Sequence, residues 1–293
     1  MSTSQFARDT AVEVVPGRPG GYRALVTESW SAPVLPHGGI VTTIALRAMA
    51  TELALPEQSL RSVTTAFAGQ VPPGPVDIDV TLLRRGKTMS QAMATVRSTG
   101  AEAGHTSLAV FGTTRPGFEF TDLAMPQVPP PEACRSYRDV PDGFAWPMHA
   151  TFFDRVEERS ALGHMPWDDF TPTTSEHASW MRFDDAPRLE DGRLDPLALV
   201  VLCDTMPGAV GHRMGPMSID WFGPSADLTV HLLGGAVSDW VLTVNRARHA
   251  GDGYASVEKE LWDPERGLVA YGTQMSFFSF PGGPPPADRL RPT

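Results

Sequence analysis

The chain is poor in cysteine: Cys134 and Cys203 are the only two in 293 residues. Two thiols cannot frame a molecule of this size, so a disulfide scaffold is excluded and a reducing compartment is expected. Long hydrophobic runs are missing too. The apolar stretch at 197–203 falls far short of the roughly 18 residues that a membrane span needs. Residues 1–15 hold Asp9 and Glu13 and no apolar block, unlike a secretory signal, so the cytoplasm is the expected location. Basic charge is in the minority, with 24 Lys and Arg against 34 Asp and Glu and a net charge of −10. That balance excludes a bulk nucleic-acid binder and leaves room for a local basic feature that meets a small anion.

Familiar catalytic signatures are scarce as well. No Gly-x-Ser-x-Gly elbow is present, which counts against an α/β serine hydrolase. There is no phosphate loop, and Gly251-Asp252-Gly253 lacks the third glycine of a dinucleotide loop, so no cofactor is expected. The histidines (His37, His105, His149, His164, His177, His212, His231, His249) form no metal-ligand pair on one helix face, and no metal is expected. Cys203 has no His or Lys beside it in sequence and reads as a core thiol.

What is there is a core. With 41% hydrophobic and 20% charged residues, wholesale disorder is ruled out, and the length allows one large domain or two of about 150 residues. Residues 38–55 are apolar almost all round, the mark of a buried helix. Strand-like segments follow at 61–70, 76–85, 88–99 and 105–114, and two short ones precede at 11–15 and 22–29. The order then recurs: strands at 151–160 and 178–183, an apolar helix at 194–206, and strands at 227–233, 239–248, 253–262 and 267–278. An offset of about 163 residues pairs Gly104 with Gly267 and Ser62 with Ser225. This predicts an N-terminal unit over 1–115, a proline-rich linker over 116–149, a C-terminal unit over 150–280 and a disordered tail over 281–293. One apolar helix followed by four antiparallel strands describes a hot-dog unit. The expected fold is α+β, a tandem (double) hot-dog in which two antiparallel sheets wrap two central helices.

On these residues a resemblance rests. His37-Gly38-Gly39-Ile40-Val41 opening an apolar helix resembles the first helix of type II acyl-CoA thioesterases of the double hot-dog kind. Val80-Thr81-Leu82-Leu83-Arg84-Arg85-Gly86-Lys87-Thr88-Met89-Ser90 is similar to that family's strand–turn–strand. Trp180-Met181-Arg182, Asp227-Leu228-Thr229-Val230-His231, Trp240-Val241-Leu242 and Leu268-Val269-Ala270-Tyr271-Gly272-Thr273-Gln274 extend the likeness through the second half. The resemblance implies a catalytic Asp, a Thr or Ser, and a Gln, which fall on Asp204, Ser225 and Gln274. It also implies an acyl-CoA substrate, a place in lipid metabolism and association into a homo-oligomer.

Independently of the family, Asp204 is an anomaly: an ionisable group in the apolar run 197–210 is costly unless it is paired or functional. The plain alternative is a helix end, since Thr205-Met206-Pro207 follows. As a site, Asp204 orients or deprotonates a water that Ser225 and Gln274 hold. The backbone N–H groups of Gly38 and Gly39, at a helix start, offer an oxyanion site, or simply a tight turn. Arg84, Arg85 and Lys87 offer coenzyme A phosphates a basic turn, or are an ordinary solvated one. At the 163-residue offset the first-half counterparts are Val41, Ser62 and Phe111, so one site per chain is expected. Two rivals stay open. A hot-dog acyl-CoA or acyl-carrier-protein hydratase or dehydratase would need a His beside Asp204, with His212 and His231 as candidates. A non-catalytic acyl-CoA-binding module would need none.

Overall fold

The computed structural model describes residues 4–146, 150–216 and 220–291, so His149 lies outside the described residues. A short helix α1 (Gln5–Asp9) and strands β1 (Glu13–Val14) and β2 (Gly21–Val26) lead to helix α2 (Gly38–Leu53). Strands β3 (Ser59–Phe67), β4 (Gly74–Arg84), β5 (Met89–Ser98) and β6 (His105–Gly112) complete the first half. The second half runs β7 (Arg135–Ser136), β8 (Val156–Leu162), β9 (His177–Phe183), α3 (Pro196–Cys203), α4 (Gly208–Met214), β10 (Asp227–Leu232), β11 (Val241–Gly251), β12 (Tyr254–Asp263) and β13 (Gly267–Phe277). The strands form one 13-stranded sheet in the order β1-β2-β4-β5-β6-β3-β10-β13-β12-β11-β9-β8-β7. The antiparallel pair β3–β10 fuses the two hot-dog sheets at the centre. No described helix is long and apolar enough to cross a membrane.

Each element follows from its pattern. Ile40, Val41, Ile44, Ala45, Leu46, Ala48 and Met49 bury every face of α2, as a helix wrapped by a sheet must. On β5 the alternation is strict, with Ser90, Ala92, Ala94 and Val96 inward. The helices α2 and α3 run antiparallel in contact. Gly39 meets Asp204, Thr43 Oγ1 lies 3.5 Å from the Leu197 carbonyl, and Arg47 pairs with Asp195 at 2.9 Å.

The structure corrects three sequence expectations. Across the strands the internal repeat has an offset of 165 residues. β12 repeats β5 from end to end, Tyr254–Asp263 against Met89–Ser98. A bulge between Leu82 and Arg84 recurs between Ala247 and His249 at the same spacing. Matching Gly104 to Gly267 aligned two turns of different length. On the strands the counterparts of Ser225 and Gln274 are therefore Leu60 and Ala109, and on the helices Asp204, nine residues past the N-cap Asp195 of α3, answers to Leu46, nine past the N-cap His37 of α2. They are not Val41, Ser62 and Phe111.

The second helix is also broken where continuity was expected. It ends at Cys203 and resumes at Gly208, with Asp204 as C-cap at φ −84° and ψ 38°. Pro207 has no N–H to continue the ladder and disfavours helix in the residue before it. Finally, the expected strand 151–160 begins as a 3-10 turn, Thr151–Asp154, before β8.

Part of the proline-rich stretch 116–149 is structured. β7 pairs with β8, and Trp180 Nε1 donates to the Pro129 carbonyl at 2.9 Å. Met125 and Val128 pack on Ala178, Trp180, Leu242, Val244 and Trp262, covering the outer face of the second half. The described tail carries one 3-10 turn, Ala287–Leu290.

Candidate active site

The helix break places Asp204 against the start of α2. Its Oδ2 accepts from the Gly39 N–H at 2.6 Å, and its Oδ1 accepts from Gln274 Nε2 at 2.6 Å. The Asp204 side chain is 7% exposed, and Gln274 is buried on the inner face of β13. An unpaired N–H and the helix dipole both favour a carboxylate at this position. The two glycines permit the approach. A Cβ on Gly39 would lie 2.9 Å from Val201 Cα, and one on Gly38 would lie 2.8 Å from Asp204 Oδ2.

A residue that the sequence reading left unassigned completes the cluster. His37 is buried, stacks on Phe152 at 4.4 Å, and sets Nδ1 3.4 Å from Asp204 Oδ2. Neither ring nitrogen has a hydrogen-bond partner. Burial holds the imidazole below its usual pKa, opposed by the Asp204 charge. His37 comes from the other half of the chain, so no local spacing announced it. His212 and His231 do not take this place. His212 stacks on His177 at 5.0 Å, and His231 is exposed on β10.

Ser225 is half-buried and bridges to Ser276, two residues along β13 from Gln274 on the same inner face. Among the described residues no hydrogen bond joins the Ser225 hydroxyl to Asp204 or Gln274. Ser276 Oγ and Gln274 Oε1 are buried without partners. Together with the His37 nitrogens they make a polar pocket around one carboxylate, where a buried group normally finds a partner.

Two sequence-predicted roles change place. The Gly39 N–H is committed to Asp204, so of the expected oxyanion pair the Gly38 N–H is the donor without an acceptor among the described residues. The basic turn is remote from Asp204. Arg85 donates from Nε and Nη2 to the Leu53 carbonyl at 3.3 and 3.2 Å, capping the far end of α2. Sixteen helical residues separate the two ends, about 24 Å at 1.5 Å per residue.

Behind Asp204 lies a buried polar network. Lys259 Nζ meets Thr205 Oγ1, and Asn245 Nδ2 reaches both the Thr205 carbonyl and His177 Nε2 at 3.3 Å. Burial lowers Lys259 to about 8, with Glu158, Cys203 and Asp204 pulling it back up. Burial raises Cys203 to about 12, which leaves it an inert thiol. Burial also lowers His177 to about 3 from 6.5. Between those values the unfolded chain binds the proton that the fold refuses. The stability from keeping His177 neutral is therefore full above pH 6.5 and lost as pH falls toward 3, at up to about 1.4 kcal/mol per unit. Urea denaturation at pH 7.5, 5.5 and 4.5 should show this slope together with that of His105 and His212, which burial lowers to about 4, and His177→Asn should reduce it. An equal slope in both proteins would clear His177 of the effect.

The comparisons with known proteins agree with this architecture. The profile of an acyl-CoA thioesterase N-terminal domain matches residues 26–113, and that of an acyl-CoA thioesterase C-terminal domain matches residues 131–278. A conserved hot-dog protein of unknown function from Alicyclobacillus acidocaldarius is 25% identical, over 96% of this chain and 100% of that one, with a TM-score of 0.78. An acyl-CoA thioesterase II from Mycobacterium marinum is 21% identical, over 95% and 100%, with a TM-score of 0.72. A dehydratase-cyclase domain of ambruticin biosynthesis also superposes, at 18% identity over 92% and 94% and a TM-score of 0.51. The fold alone therefore does not choose the chemistry. No curated protein sequence matches the chain.

Proposed function

Because the chain belongs to the acyl-CoA thioesterase family, we propose that it hydrolyses an acyl-CoA to the free acid and CoA at the Asp204 cluster. The observation that carries the reading is a buried carboxylate held by Gln274 and Gly39 and ringed by unpartnered polar atoms. In this reading Asp204 takes a proton from a water steered by Ser225 and Gln274. The water oxygen bonds to the thioester carbon, and the carbonyl oxygen, now negative, meets the Gly38 N–H at the start of α2. The tetrahedral centre collapses, the C–S bond breaks, and the thiolate leaves and takes up a proton.

A second reading has one observation in its favour. The 3.4 Å approach of His37 to Asp204 supplies the Asp–His pair that a hot-dog hydratase or dehydratase uses. A single assay separates the two. The protein is given saturated and 2-enoyl-CoAs of short, medium and long chain, and thiol release and enoyl absorbance are followed together. Release of free thiol with the enoyl absorbance otherwise unchanged is expected. Loss of enoyl absorbance without thiol would replace the thioesterase reading by the hydratase one. Binding with neither change would leave the non-catalytic module. Assembly into a homo-oligomer belongs to the same proposal and is read by sedimentation.

A further inference from the structure

The basic turn and the space beside it are left over from the Asp204 site. A cavity of about 470 Å³ opens at the C-terminal end of α2, against the start of α3. That volume is typical of a small-molecule site. Leu46, Leu53, Leu60, Leu197 and Phe111 give it aliphatic and aromatic walls. Leu60 and Phe111 are cross-strand partners on β3 and β6. At the 165-residue offset their counterparts are Ser225 and Ser276, which are bridged in the same way. The cavity wall is the first half's version of the hydroxyl-bearing wall beside Gln274, with the hydroxyls replaced by hydrocarbon.

Two further features point to a ligand. Gln58 lines the cavity, is 5% exposed, and donates from Nε2 to the Gly86 carbonyl at 2.8 Å. Its Oε1 is a buried acceptor without a partner. A buried acceptor left unpaired has lost its hydration without compensation, and a donor from a ligand restores it. Cations stand at the rim. Arg85 grips the Leu53 carbonyl, and Arg84 and Lys87 are exposed on the same turn. Arg61, bonded to the Gly112 carbonyl, stands beside them. Among the described residues none of these four forms an ion pair, although the chain carries a net charge of −10. An unpaired basic cluster on an acidic protein is a local field for an anion.

We propose that this cavity is a second acyl-CoA site, one that binds without hydrolysing. The acyl chain lies among the aliphatic walls, an amide N–H of the pantetheine arm meets Gln58 Oε1, and the phosphates meet the basic cluster. Turnover is absent because Leu46, Leu60 and Ala109 stand where the other half has Asp204, Ser225 and Gln274. The ligand class rests on the acyl-CoA reading above.

The test is calorimetric titration of the full chain, at low salt, with an S-decyl CoA thioether, which has no carbonyl to hydrolyse. Two sites per chain are expected. In a double variant, Arg84→Glu with Lys87→Glu, one site should weaken at least tenfold and the other hold. Leu60→Trp, which fills the cavity and leaves the charges, should remove the same site, with melting curves confirming that the variant folds. One site indifferent to all these changes would overturn the second site and leave the thioesterase reading standing. One site that charge reversal weakens would assign the turn to the substrate bound at Asp204, and would also overturn it. No binding at all would sink both readings.

Discussion

Asp204→Asn should cut thiol release from acyl-CoA by about two to four orders of magnitude, the usual weight of a general base. The exchange keeps the shape of the side chain and an oxygen for the Gly39 N–H, now 2.6 Å from Oδ2. The amide group would face Gln274 Nε2, donor against donor, and Gln274 can turn its Oε1, which has no partner, toward it. The melting temperature should therefore change little while the rate collapses. A variant that keeps a third or more of the wild-type rate would remove Asp204 from the chemistry.

Gly39→Ala is the second large effect, and it reaches rate and stability together. The added Cβ would sit 2.9 Å from the backbone of Val201 and 3.2 Å from Asp204 Cβ. Neither neighbour is the free end of a flexible side chain, so the start of α2 must move away from α3. Forcing a methyl into a packed contact costs about 1–3 kcal/mol. A displacement of about 1 Å at the site is worth a further hundredfold in rate. Thermal unfolding and thiol release on Gly39→Ala measure both, with Gly282→Ala as control, since a Cβ there meets nothing within 4 Å. Equal melting and equal rate in the two variants would show that the close approach carries no weight.

Sequence pattern carried the architecture because the pattern is local. A helix apolar on all faces and strands alternating at period two are readable from neighbours alone, and both occur where expected. Asp204 stood out for the same reason, as a charge in an apolar run. The helix break was written in Pro207, two residues past Thr205, but the apolar residues either side masked it. His37 was not legible. Its partner lies 167 positions away on another helix, and no spacing rule links them. The offset was missed by two residues because turn glycines vary between the halves, whereas the bulges at Leu82 and Ala247 do not. The place of the basic turn needed the length of α2 and its direction, which composition cannot supply.

The bond from Gly39 to Asp204 joins residues 165 positions apart, one from each half of the chain. If the halves were separate polypeptides, this carboxylate would gain its helix-end N–H only after a bimolecular encounter, and the assembled site would dissolve on dilution. A covalent tether holds the partner at an effective concentration on the order of millimolar. Formation of this carboxylate cluster is thereby made first order in protein. Specific activity per chain should hold constant far below the concentration at which any homo-oligomer falls apart.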